Sequence, residues 1–488
     1  MASTTLDVFS SATTMVDALL RRKVSAVELL DMHLRQIERY NPKVNAIVTP
    51  DYENAQKAAA AADEALAGGE ARALLGLPIT IKDCIDVKGL LSTAGVQEWA
   101  EHRSEEDALI VSRVRAAGAV IMGKTNLPPY AMDWQSDNPL FGRTNNPWDL
   151  GRTPGGSTGG AAAVATGMTP LEFGNDLGGS IRVPAAFCGV YGHKPSETAI
   201  PRSGGYPGSE LPNPASVMSV NGPLARSARD LQLAFDVVAG PEMGEDVAWS
   251  LKVPPARRDR LADYRVAVMP PISWLPVDAE TIAALEELAT DLRRAGAKVE
   301  ETQPDTFGDM RRHHQLYLSL LACVSVVGSS KEERQHSAEV SEVSSGSGDF
   351  QEAWTRGLEA SPYDFTIWLR EREVFRRAYA DFFNRWDVLL VPVFLGPAFP
   401  HTTAPRLERT LDVNDQRVAY GLGLVYPALA NFCGQPATAF PMGITRSGLP
   451  IGLQAIGPYL EDRTPMRFAA LVAQEFGGSH RPPGYDAD

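Results

Sequence analysis

Two serines and a lysine lie in the first half of the chain, where their surroundings suit acyl-transfer chemistry. Ser157 and Ser180 occupy separate glycine-rich turns, GGSTGG and GGSIR, within residues 151–195. Glycine adopts backbone conformations that other residues avoid, and a turn with several free N–H groups can stabilise an oxyanion. Both serines are therefore candidate nucleophiles. Lys82 ends the apolar, strand-like run GLPITIKD, an unusual place for a lysine because burial disfavours its charged form.

Motifs along most of the chain carry a resemblance to a known family. In order they are VSAVELLDMHLRQIERYNPKVNA, AGAVIMGKTN, NPLFGRTNNPWDLGRTPGGSTGG, GNDLGGSIRVPAAFCGVYGHKP and GLPIGLQAIGP. With these motifs the chain resembles the amidase signature family. The resemblance implies an amidase that forms an acyl-enzyme on Ser180 and hydrolyses a carboxylic amide to acid and amine, and that also accepts esters or aryl carbamates. It makes Lys82 the base, acting through Ser157, which follows a cis peptide bond.

The resemblance also assigns the turn around the nucleophile. The oxyanion hole falls on the backbone N–H groups of Leu177, Gly178, Gly179 and Ser180. Asp176 and Arg182 flank this turn, and we favour a role for Arg182 in supporting it over an ordinary surface ion pair. Asn175 departs from the family pattern, which usually has threonine or serine there, and Thr158 replaces a second serine. Neither departure removes a member of the predicted triad.

Substrate-binding residues are predicted in the segment 131–134. The resemblance puts Ala131, Met132 and Trp134 beside the acyl pocket, although a buried aromatic residue is as typical of a core, so both interpretations of Trp134 stay open. Their apolar character favours a less polar substrate than glutamine. The alternative function is the glutamine-hydrolysing subunit of a tRNA-dependent amidotransferase, which uses the same triad with a partner protein. A binding protein with a catalytically inactive site is disfavoured because the triad residues are retained.

Two other motif matches predict different chemistry and are rejected on context. Residues 155–159 satisfy G-x-S-x-G, the nucleophile elbow of α/β-hydrolases, but the preceding NNPWDLGRTP is not a strand. Residues 118–125 satisfy the P-loop pattern, but AVIM between its glycines is strand-like and NLPPY follows where a helix is needed. Neither match changes the predicted chemistry.

Composition limits the remaining function classes. A net charge of −14 argues against a nucleic-acid surface, and the four cysteines show no C-x-x-C pattern, which suits free thiols in a reducing compartment. No apolar run is long enough to span a bilayer, and no signal peptide is recognisable, so we expect a cytoplasmic protein. We expect no cofactor and no metal site, a small-molecule amide as substrate, and no membrane or nucleic-acid partner. A homodimer stays open.

Helical and strand-like segments alternate along the chain, which predicts the α/β class. The resemblance implies a central mixed, twisted β-sheet covered by helices on both faces, in a single domain over residues 1–488. The catalytic core spans about 75–230, and the C-terminal return spans about 385–475. Residues 307–368 break the pattern, and are either a solvated insertion or a cap over the substrate entrance. The N-terminal helix that opens at Ser25 is predicted to end at Asn41–Pro42.

Overall fold

The computed structural model describes residues 6–206, 217–326, 329–344 and 348–487. Its helices are α1 Ala12–Leu20, α2 Ala26–Val44, α3 Tyr52–Ala67, α4 Leu109–Ala116, α5 Gly160–Ala165, α6 Arg182–Cys188, α7 Ala228–Val238, α8 Ala279–Arg294, α9 Arg311–Ser325, α10 Lys331–Ser344, α11 Asp349–Leu358, α12 Pro362–Phe382, α13 Val425–Cys433 and α14 Arg463–Phe476. Its strands are β1 Ile47–Pro50, β2 Pro78–Lys82, β3 Val120–Thr125, β4 Asp137–Asn138, β5 Gly142–Arg143, β6 Leu171–Asp176, β7 Tyr191–Lys194, β8 Val220–Ala225, β9 Arg265–Val268, β10 Lys298–Glu301, β11 Val388–Pro392, β12 Thr410–Val413, β13 Gln416–Ala419, β14 Ala437–Ile444 and β15 Pro450–Ile456.

An 11-stranded mixed sheet forms the centre of the molecule, in the order β1-β3-β2-β6-β8-β7-β14-β15-β11-β9-β10. β2 pairs in parallel with β3 and β6, whereas β8 runs antiparallel to both β6 and β7. Every residue of β2, β6 and β8 is buried, and successive strand residues point to opposite faces, so both faces of this part of the sheet are covered. The α/β class, with a mixed sheet between two layers of helices, is confirmed.

The sheet brings together residues from distant parts of the sequence. β2 and β6 are parallel neighbours, so the C-terminal ends of both strands lie on the same side of the sheet. β2 ends at Lys82, and β6 ends at Asp176. Ser180 follows β6, in the turn that leads into α6, while Ser157 lies shortly before α5. Strands from residues 75–230 and 385–475 meet where β7 pairs with β14.

Local signals locate most elements correctly, with one error near the N-terminus. The capping box at Ser25 is present, but α2 runs through Pro42 and ends at Val44. A proline this near the C-terminal end removes only one backbone hydrogen bond of the helix. The Asn41 side chain accepts N–H groups of Ala46 and Ile47 at 2.9 and 3.0 Å, so it closes the turn after the helix instead of ending it earlier.

The described part of residues 307–368 contains three helices and the start of a fourth. α9 is largely buried, whereas most of the described side chains of α10 are exposed. The segment is therefore not solvated throughout. Within the residues that the structure describes, no helix is both long and apolar enough to span a membrane.

Candidate active site

Lys82 and Ser157 are in direct contact in the interior of the protein. Lys82 Nζ lies 2.6 Å from Ser157 Oγ and 2.6 Å from Asn175 Oδ1, and Lys82 and Ser157 are fully buried. Burial lowers the pKa of Lys82, while the charges of Cys84, Asp176 and other nearby acidic groups oppose the shift. A lysine with a lowered pKa is more readily neutral and can accept the proton of the hydroxyl it contacts.

Ser180 lies on the wall of a cavity of about 2150 Å³, and Ser157 lines the same cavity. The Oγ of Ser180 makes no hydrogen bond to another protein group in the described part of the chain, so it is free to meet a bound molecule. The peptide bond between Gly156 and Ser157 is cis. The structure thus joins Lys82 to Ser157 by contact, and gives both serines access to one cavity.

Asp176 organises the turn that carries Ser180. Its carboxylate accepts the backbone N–H groups of Gly179 at 2.9 Å and Ile181 at 3.2 Å. Arg182 donates to the same carboxylate through Nε at 3.1 Å and Nη2 at 3.0 Å, and both side chains are fully buried. Burial alone would raise the pKa of Asp176, but the Arg182 guanidinium holds it well below its ordinary value. Because Arg182 is buried, its interpretation as a surface ion pair is excluded.

The backbone donors of the predicted oxyanion hole do not all have the same environment. The N–H of Gly179 is bonded to Asp176, so in this structure it points away from the position predicted for it. Within the described residues, the N–H groups of Leu177, Gly178 and Ser180 have no protein acceptor. All three of these residues line the cavity. Among the described residues, three of the four predicted donors are therefore without a protein acceptor, and the fourth is bonded to Asp176.

Ala131, Met132 and Trp134 all line the cavity. Trp134 is only 6% exposed, and its ring packs against Phe394 and Tyr420 with centroids 4.9 and 5.0 Å apart, so it belongs to the core and to the cavity wall at once. Asp133 anchors this segment, because its carboxylate accepts the Tyr420 hydroxyl at 2.6 Å and pairs with Arg409. Neither Tyr420 nor Arg409 could be linked to Asp133 from the sequence.

Asn175 is the main site residue whose role the sequence did not reveal. It bridges two groups of the site, since its Oδ1 accepts from Lys82 and its Nδ2 donates to Cys84 Sγ at 3.2 Å. The only signal in the sequence was its departure from the family pattern.

The two rejected motif matches lie in structures that suit neither pattern. Lys124 of the P-loop match lies within β3, where its side chain donates to the Leu91 carbonyl at 2.7 Å. No strand precedes residues 155–159 in the way that a nucleophile elbow requires, because the described segment 144–154 contains none. Both matches are therefore coincidences of sequence.

The large mixed sheet thus holds a lysine and a serine in contact at the wall of a cavity. The Amidase family model matches residues 28–465, and the chain belongs to this family of amide hydrolases. Indoleacetamide hydrolase of Bradyrhizobium diazoefficiens is 34% identical over 447 residues, which cover 90% of this chain and 81% of the relative.

Two further similarities widen the comparison. The A subunit of the glutamyl-tRNA(Gln) amidotransferase of a Psychrobacter species is 33% identical over 495 residues, which cover 94% of this chain and 95% of the relative. The solved structure of 6-aminohexanoate cyclic dimer hydrolase with its substrate superposes with a TM-score of 0.79 and 25% identity, covering 99% of this chain and all of the other. These relatives include two hydrolases with different named substrates and one subunit of an amidotransferase.

Proposed function

We propose that the protein hydrolyses a carboxylic amide to acid and amine through an acyl-enzyme on Ser180, with Lys82 as the base acting through Ser157. The 2.6 Å contact between Lys82 Nζ and Ser157 Oγ is the observation that carries the proposal. This contact is buried, yet Ser157 reaches the cavity that Ser180 also lines. A serine hydroxyl needs a base to become nucleophilic, and a lysine whose pKa is lowered by burial suits that role.

The reaction then follows from these groups. Neutral Lys82 accepts the proton of Ser157 as Ser157 accepts that of Ser180, and Ser180 Oγ attacks the substrate carbonyl carbon. The N–H groups of Leu177, Gly178 and Ser180 stabilise the oxyanion. The C–N bond breaks as the proton returns through Ser157 to the leaving nitrogen, which departs as the amine. Water, deprotonated by the same relay, attacks the acyl carbon; the bond between that carbon and Ser180 Oγ breaks, the proton returns through Ser157 to Ser180 Oγ, and the acid is released.

The lining of the cavity favours a substrate amide with an apolar, aromatic acyl or amine group. Its lining includes aromatic and aliphatic side chains, among them Trp99, Met132, Trp134, Leu318, Phe350 and Leu424. Such surfaces bind apolar groups by removing them from water. The similarity to a hydrolase of indoleacetamide, an amide with an aromatic acyl group, supports the same substrate class.

Esters and aryl carbamates pass through the same acyl-enzyme and should also react. We further propose that residues 307–368 act as the cap over this cavity.

The second candidate is glutamine hydrolysis for a tRNA-dependent amidotransferase, favoured by the similarity to a protein of that complex over nearly its whole length. The two functions separate in a release assay on the purified chain alone, with aliphatic amides, aryl amides, aryl carbamates, esters and glutamine. We expect turnover of aryl amides without a partner, and an acyl group on the peptide containing Ser180 when an activated aryl ester is used. Activity on glutamine alone, or none without a partner, would favour the amidotransferase.

Replacing Asn175 by aspartate should move the acidic limb of the pH profile to higher pH. Asn175 Oδ1 lies 2.6 Å from Lys82 Nζ, so a carboxylate there would favour the ammonium and raise the pKa of Lys82. Since only the neutral amine acts as base, kcat/KM at pH 7 should fall by about tenfold or more and recover as the pH is raised.

The matched control for this experiment is Asn175→Thr, which keeps a neutral oxygen near Lys82. Its acidic limb should stay close to that of the wild type, even if its rate falls. The measurement is kcat/KM for one aryl amide from pH 5 to 10 in all three proteins. An aspartate variant with an unmoved acidic limb would contradict the role of Lys82 as the titrating base.

A further inference from the structure

Tyr317 contacts the turn that carries Ser180, although it lies 140 residues beyond Leu177 along the chain. It belongs to α9 and is fully buried, and its hydroxyl donates to the carbonyl oxygen of Leu177 at 3.0 Å. A Cβ added to Gly178 would lie 3.2 Å from Tyr317 Oη, so the hydroxyl abuts both residues of the Leu177–Gly178 peptide. Burial raises the pKa of Tyr317, which keeps the hydroxyl protonated and donating at every working pH.

This contact sets the direction of a catalytic donor. In a planar trans peptide the C=O and the following N–H point in opposite directions. A hydroxyl that holds the Leu177 carbonyl therefore also fixes the direction of the Gly178 N–H, which has no protein acceptor in the described chain. The next peptide is anchored separately, because Trp134 Nε1 lies 3.4 Å from the Gly178 carbonyl and Asp176 accepts the Gly179 N–H.

We propose that Tyr317 is a positioning residue for the oxyanion hole, whose hydroxyl keeps the Gly178 N–H directed at the carbonyl oxygen of the substrate. The inference rests on the proposed function and deepens it. Glycine at 178 and 179 leaves this turn conformationally free, and rotation of the Leu177–Gly178 peptide would present a carbonyl oxygen to the developing negative charge. A hydrogen bond from outside the turn prevents that rotation.

Helix α9, which carries Tyr317, links the turn to the cavity wall. Tyr317 shares α9 with His314, Leu318 and Leu321, which line the cavity. The ring of His314 stacks on that of Tyr317, with centroids 6.0 Å apart. One helix therefore both lines the cavity and holds the Leu177–Gly178 peptide.

Tyr317→Phe tests the inference because it removes only the hydroxyl. We expect kcat for an aryl amide to fall about 10- to 100-fold with KM within about twofold, since loss of an entire oxyanion donor costs about 10²- to 10³-fold. An aryl trifluoromethyl ketone, which forms a tetrahedral adduct with a serine nucleophile, should bind weaker by a similar factor. Binding of a non-reacting aryl ketone analogue should change less than twofold.

Tyr379→Phe is the matched control, because Tyr379 is also fully buried and donates to a single backbone carbonyl, that of Leu429, at 3.1 Å. It should lose a similar amount of stability in chemical denaturation and keep its kcat. Equal loss of kcat in both variants, or an unchanged kcat in Tyr317→Phe, would overturn the inference. Labelling of wild-type Ser180 by the activated ester tests the proposed function separately. A failure of the proposed function is therefore distinguishable from a failure of the inference about Tyr317.

Discussion

Ser180→Ala should abolish amide hydrolysis, with kcat reduced on the order of 10⁵-fold or more. The substitution removes the atom that forms the acyl bond, and the remaining N–H donors and binding contacts supply only a small residual rate. Ser180 Oγ makes no hydrogen bond to protein within the described chain, so the free energy of unfolding should change by no more than about 1 kcal/mol. The measurements are amine release from an aryl amide and urea denaturation.

The control for this variant is Ser219→Ala, because Ser219 lines the same cavity and has no role in the proposed mechanism. It should keep kcat within a few-fold of the wild type. A second arm combines Ser180→Ala with Lys82→Met, which should cost little further activity because residues that act as a unit are not additive. Amide turnover by Ser180→Ala at more than about a hundredth of the wild-type rate would show that Ser180 is not the nucleophile.

Arg182→Met should lower the free energy of unfolding by about 3–5 kcal/mol, because removal of one partner of a buried ion pair leaves an uncompensated charge. Arg182 donates to Asp176 and also to Gln454 Oε1 at 2.7 Å, and all of these groups are buried. The turn before α6 depends on the Asp176 carboxylate, so activity should fall with stability. Denaturation by urea at pH 7 and kcat for an aryl amide are the two measurements.

The pH dependence of this loss has a definite sign. In the wild type, Arg182 depresses the pKa of Asp176, so this carboxylate contributes stability that is present above its unfolded pKa and lost as the pH falls through its lower folded pKa. Without Arg182, burial raises the folded pKa, and protonation then stabilises the native state. The deficit of Arg182→Met should therefore shrink as the pH is lowered from 7 to 5.

Two comparisons make the result specific to the buried pair. Arg377→Met breaks an exposed ion pair with Asp381 on α12, and should change the free energy of unfolding by about 1 kcal/mol or less. The double variant Asp176→Asn with Arg182→Met removes the buried charge, and should recover part of the stability lost in the single variant. A single variant no less stable than Arg377→Met would contradict the argument.

Local patterns in the sequence located the elements that hold the site. The apolar run before Lys82 forms β2, which ends at Lys82, and the alanine-rich run in residues 52–67 forms α3. Asp278 caps α8 by accepting the Thr281 N–H at 3.0 Å. These features were predictable because hydrophobic periodicity and capping act between residues a few positions apart. The motifs further identified the family, and with it the candidate serines and lysine.

The tertiary structure alone decided which groups those residues meet. Asn175 lies 93 residues from Lys82 and reaches it because β2 and β6 are parallel neighbours. Tyr317 reaches Leu177 because α9 packs over the turn, and the Gly179 N–H turns to Asp176 rather than to the cavity. No local pattern records such pairings, because they depend on how distant strands and helices pack. The sequence by itself therefore determined the class of chemistry and its candidate residues, whereas packing decided their hydrogen-bond partners and the shape of the cavity.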